Sequence, residues 1–215
     1  YPHRFAKYVN PRGFTRFAIW HEATHGRVGN RVDTRMKNGR GMGEVFGKQW
    51  GVVAEPGGDF GAFKTAVLQY RKGKISHDEF MEIMAYGLHR AVYQLPTKEQ
   101  ALDPAFLGNW HAVGRTLLVG YLFSRDKKAI QIDRRGKITN IDVDELAAAV
   151  EELDKKFTEI GLAGNLKSYL RFYRKCARAL PDSFMDTTLT IVGKLNRMYL
   201  VDRPGDRISG VGGAA

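Results

Sequence analysis

One cysteine, Cys176, stands alone in 215 residues. It excludes an intramolecular disulfide and a cysteine-built zinc site. The thiol falls on the apolar side of an expected helix and reads as a small buried hydrophobe. Long apolar runs are missing too. The longest, Leu117 to Phe123, falls far short of the roughly 20 residues that cross a bilayer. No secretory signal opens the chain. The start at Tyr1 fits organellar import with cleavage, or an omitted start, so the expected location is the mitochondrial matrix side or a virion, with secretion excluded. Acidic residues are scarce at the front: residues 1–50 hold ten Lys/Arg against Glu22, Asp33 and Glu44, while the remainder holds 24 against 20. The net charge of +11 is therefore concentrated in one segment, the pattern of an arm that meets a polyanion. P-loop, dinucleotide, Gly-x-Ser-x-Gly and zinc-finger patterns are all absent.

What is present divides the chain at about residue 62. Residues 1–62 hold 11 of the 24 glycines, and basic residues alternate there with aromatics (Arg4, Phe5, Lys7, Tyr8, Arg12, Phe14, Arg16, Phe17). Phe14 to His25 reads as a short helix. The rest, to Phe60, reads as loop with a short strand at Val52-Val53. From Gly61 the period becomes helical. Phe80, Ile83, Met84, Leu88, Ala91, Val92 and Leu95 form one apolar stripe, opened by a Ser76/Glu79 capping box and closed by Pro96. Asp103 and Pro104 open the next helix. Residues 129–139 alternate and read as a hairpin. Asp142 and Glu145 start a helix that stops at Gly161, and further helices are expected at about 165–179 and 183–200. The predicted fold is mainly α: a compact bundle of four to five helices over 63–202 with a small β-hairpin, a long irregular basic N-terminal arm over 1–62, and a flexible tail over 203–215.

Two short motifs carry chemistry. His21-Glu22-Ala23-Thr24-His25 places two imidazoles one helical turn apart, so both can reach one Zn²⁺, with Glu22 beside the attacking water as general base. The segment from Ala18 to His25 resembles the zincin metallopeptidase motif. That resemblance implies a further carboxylate ligand, for which Glu44 and Glu55 are the candidates, and a sheet ahead of the motif helix. Only twenty residues precede His21. Gly73 to Phe80 resembles the outgoing half of an EF-hand loop, but Leu68, Tyr70 and Lys72 stand at the ingoing ligand positions and offer no carboxylate. It reads as a joint between helices.

The basic residues supply the other candidate site. Arg4, Lys7, Arg12, Arg16, Arg27, Arg31, Arg35, Lys37 and Arg40 would contact phosphates from the arm. Lys167, Arg171, Arg174 and Arg178 make a continuous stripe on one helix. By layout the chain is similar to ribosomal proteins and to helical coat proteins of filamentous viruses. The main reading is a non-enzymatic structural protein of a large assembly, without a cofactor, whose partners are nucleic acid or neighbouring subunits. The alternatives are an accessory subunit of an organellar respiratory or ATP-synthase complex, and a zinc metallopeptidase using His21, Glu22 and His25.

Overall fold

The stretch with the most glycine and the least visible periodicity forms the central helix. In the computed structural model, which describes residues 3–25, 37, 39–93, 95–134 and 138–181, helix α4 runs from Gly51 to Arg71. Four other helices are its main packing partners. These are α2 (Pro11–His25), α5 (His77–Tyr93), α7 (Trp110–Ser124) and α8 (Val143–Leu162). Short helices α1 (His3–Ala6), α3 (Met42–Phe46) and α6 (Lys98–Leu102), and α9 (Leu166–Arg178), are the other α-helices among the described residues. Strands β1 (Ile130–Ile132) and β2 (Ile138–Ile141) pair antiparallel, so the hairpin expected near 129–139 is present.

The expectation of an irregular arm ahead of a four- to five-helix bundle is overturned. Residues 3–25 and 39–62 are largely helical and belong to the core: Phe5, Val9, Phe17, Met42, Phe46, Val52, Val53 and Phe60 are all buried. The physical reason is that α4 is enclosed by neighbours along most of its length. Val52, Val53, Ala54, Phe60, Ala62, Phe63 and Ala66 are buried together, and a helix buried all round carries no amphipathic period. Its glycines admit neighbouring side chains. A Cβ on Gly61 would stand 2.1 Å from Thr24 Cγ2 of α2.

Pro56 lies within α4 and has no N–H to give to the carbonyl of Val52 one turn back. The hydroxyl of the buried Tyr169, on α9, donates to that carbonyl instead. This one bond explains how the proline is tolerated and ties α9 to α4. Tyr169→Phe is expected to leave the carbonyl buried without a donor and to destabilise the fold by about 1–3 kcal/mol, measured by urea denaturation. No change in midpoint would remove this account.

Other local expectations fare variously. The Ser76/Glu79 capping box forms, with Glu79 Oε2 accepting from Ser76 N at 2.8 Å and Ser76 Oγ accepting from Glu79 N at 3.2 Å. Asp142 caps α8 through Glu145 N at 3.0 Å. Asp103 and Pro104 instead open a short 3₁₀ turn, Pro104–Gly108, and α7 begins after Asn109. Gly161 is inside α8, and the positive φ of 63° belongs to Gly164. The joint between α4 and α5 turns at Gly73. The helix expected at 183–200 and the tail over 203–215 lie outside the described residues. No described helix is long and apolar enough to cross a membrane.

Candidate metal centre

Helix α2 carries the histidine pair and α4 supplies its acidic partners. His21 is buried and His25 half-buried, one turn apart on the face of α2 that meets α4. Gly58 makes that approach possible: a Cβ there would lie 2.8 Å from His21 Cε1 and 3.0 Å from His25 Nε2. On α4, Glu55 and Asp59 are also one turn apart, so both face the imidazoles. Asp59 Oδ1 accepts from His21 Nδ1 at 2.8 Å. Glu55 Oε2 lies 3.4 Å from His21 Nε2 and 3.7 Å from His25 Nε2. The two Nε2 atoms are 2.8 Å apart.

Donor atoms of His21, His25 and Glu55 thus gather within 4.8 Å of one another and can hold a metal ion. Zinc–donor bonds of about 2.0–2.1 Å put the donors of a tetrahedral site about 3.3 Å apart. The 3.4 Å distance from Glu55 to His21 matches that edge, and the 3.7 Å distance to His25 exceeds it by about 0.4 Å. The imidazole pair needs to open by about 0.5 Å to reach it. The donor set of two imidazoles and one carboxylate suits zinc and leaves a fourth position open, as catalytic sites require. Asp59 completes the arrangement by fixing the His21 tautomer from behind, the usual task of a carboxylate next to a ligating histidine.

Electrostatics agree with this geometry. Burial opposes charging of the His21 ring, but hydrogen bonds to Asp59 and Glu55 outweigh it and raise its pKa to about 9. At neutral pH the metal-free ring therefore carries both protons, one directed at Asp59 and one at the acceptors His25 and Glu55. The hydrogen bond from His21 also holds the Glu55 carboxyl below its usual range, against the effect of burial. His111, on α7, stands at the rim with Nδ1 3.4 Å from Glu55 Oε2. Burial lowers its pKa against the raising effect of Glu55. Glu22 is exposed, next to His21 on α2.

The structure decides between the two carboxylates offered by the sequence. Glu44 is occupied in capping α3, where its Oε2 accepts from Gly41 N at 2.6 Å. Glu55 meets the histidines. Sequence reasoning missed Asp59, Arg90 and His111 altogether. The one signal available was the Glu55/Asp59 spacing, which repeats the helical interval of His21 and His25.

Among the described residues, the basic residues divide between cross-helix ion pairs and exposed positions. Arg12 pairs with Glu82 at 2.9 Å and Arg16 with Glu79 at 2.8 Å, both across to α5. Lys7 Nζ lies 4.6 Å from the Tyr8 ring centroid. Lys37 and Arg40 are exposed, and Arg40 Nη2 donates to the Glu44 carbonyl at 3.0 Å. Lys167, Arg171, Arg174 and Arg178 lie on the exposed face of α9. Arg4 falls in α1, and Arg27, Arg31 and Arg35 lie outside the described residues.

No family model and no curated protein sequence matches the chain. Its fold does match a solved structure, that of DPP III from Caldithrix abyssi, with a TM-score of 0.66 at 16% sequence identity. The match covers 86% of this chain and 33% of that one, so the chain spans about a third of the length of the protein it resembles. A fold shared with DPP III and a histidine–histidine–glutamate cluster able to chelate a metal overturn the main reading as a non-enzymatic structural protein that contacts nucleic acid or assembly neighbours. The reading as an accessory respiratory or ATP-synthase subunit finds no support in either. Of the three readings, the metallopeptidase alternative agrees best with the cluster. The carboxylate that meets the two histidines comes from the packed helix α4.

Proposed function

We propose that the chain is a zinc-dependent hydrolase that cleaves peptide bonds. The observation that carries this reading is the convergence of His21, His25 and Glu55, with Glu22 following His21 directly in the chain. The shared fold with DPP III, a peptidase, supports the choice of an amide substrate. His21 Nε2, His25 Nε2 and Glu55 Oε2 would hold the ion. Zinc bound there supplies Lewis acidity toward a carbonyl oxygen and toward water.

The chain's own residues divide the remaining work. Glu22, solvent-facing and outside the ligand set, accepts the proton of the attacking water on its carboxylate and passes it to the departing amine. Asp59 keeps the proton of His21 on Nδ1, so that Nε2 presents its lone pair. His111 stands at the rim, where its second ring nitrogen can donate to charge that develops on the carbonyl oxygen.

The direct test is cleavage of an internally quenched fluorogenic peptide library by the purified chain, before and after chelation. Activity lost to a chelator and restored by zinc supports the reading. Activity indifferent to chelation, or none in zinc-loaded protein, contradicts it.

A further inference from the structure

A single guanidinium touches both sides of this site. Arg90, on α5, donates from Nη1 to Asp59 Oδ1 at 3.0 Å, and its Nη2 lies 3.4 Å from His111 Nδ1. The Asp59 oxygen it holds is the same atom that accepts from His21 Nδ1. Arg90 therefore joins three helices at the site: α4 through Asp59, α7 through His111, and α2 through Asp59 and His21. Its side chain is only 25% exposed. The guanidinium sits 5.8 Å from the ring centroid of the buried Phe17 and borders a small pocket that Asp59, Phe60 and Arg115 also line. Packing on these sides leaves the fork little freedom to turn.

Arginine has donors only. Toward Arg90, His111 Nδ1 must offer its lone pair, which places the proton of a neutral ring on Nε2. Glu55 Oε2 stands equally close to the same nitrogen. Once Glu55 is engaged by a cation, Arg90 is the group that still holds Nδ1. A fork that engages two groups at once restricts both in direction as well as distance, which a lysine ammonium on a flexible stem does not reproduce.

We infer that Arg90 is a positioning residue for both imidazoles of the site, holding His21 through Asp59 and His111 directly. This rests on the proposed hydrolase reading, and the two are separable by experiment. Zinc affinity of the full chain is measured by competition with a chromophoric chelator, alongside kcat and KM on the best-cleaved library peptide, for the unaltered chain, Arg90→Met and Arg90→Lys. For Arg90→Met, zinc affinity falls about 10–100-fold, the typical cost of losing an outer partner of a metal ligand. At saturating zinc its kcat also falls, with KM little changed. Arg90→Lys regains zinc affinity to within about threefold, because an ammonium still reaches Asp59, yet kcat stays low because it cannot hold His111 as well.

Unchanged zinc affinity in a folded Arg90→Met chain would overturn the inference, as would a loss confined to KM. If Arg90→Met does not fold, Arg90→Lys decides alone: restored zinc affinity with low kcat supports the inference, and full kcat overturns it. An unaltered chain that binds no zinc would instead sink the hydrolase reading beneath it.

Discussion

Glu22→Gln is expected to reduce peptide hydrolysis by about 10²–10⁴-fold, the usual contribution of a positioned general base, while the protein keeps its zinc. The two outcomes separate because Glu22 lies outside the ligand set. Donor atoms come from His21, His25 and Glu55, whereas Glu22 is exposed to solvent on α2. The amide fills the same volume and disturbs no packing. It cannot take a proton from water. Assay on the zinc-loaded variant, with metal content determined on the same sample, reads both quantities. Cleavage within about threefold of the unaltered chain would remove Glu22 from the chemistry, since a general base contributes far more.

Glu55→Ala has the second large effect. It removes the carboxylate ligand, so the loss of zinc affinity should exceed the about 10–100-fold typical of an outer-partner change. Glu44→Ala is the matched control. Glu44 caps α3 through Gly41 N, so its removal should leave zinc affinity unchanged. Equal losses in both variants would mean that the metal is held elsewhere. Removing Glu55 also takes away one of the hydrogen bonds that raise the His21 pKa, so the metal-free ring should titrate lower in this variant.

The contrast between Glu44 and Glu55 shows where sequence was legible. Both lie in glycine-rich surroundings, and only the carboxylate four residues after Glu55 sets them apart locally. What separates them is α4, whose enclosure on nearly all sides removes the amphipathic signal and whose glycines at 58 and 61 admit α2. Helices with one solvent face were readable from stripes and caps. Ser76 with Glu79 and Asp142 with Glu145 marked the starts of α5 and α8 correctly. The hairpin was readable from alternation.

Charge misled for a related reason. Arg12 and Arg16 are close in sequence to other basic residues, yet their partners Glu82 and Glu79 lie on α5, some seventy residues along the chain. A local excess of cations therefore marked helix-to-helix pairing, and not a free arm, at those two positions. The histidine motif itself was visible at once. Its weight depended on Glu55, Asp59, Arg90 and His111, which only tertiary packing brings to it.

The most direct test of the central claim is calorimetric titration of the metal-free chain with zinc at pH 7 in buffers of different ionisation enthalpy. The account predicts about one zinc per chain, with a proton released on binding, because His21 has a pKa near 9 and must give up the Nε2 proton to ligate. Apparent affinity should accordingly rise with pH until about 9, where that proton is already gone. Absence of zinc binding, or stoichiometric binding that survives Glu55→Ala undiminished, would contradict it.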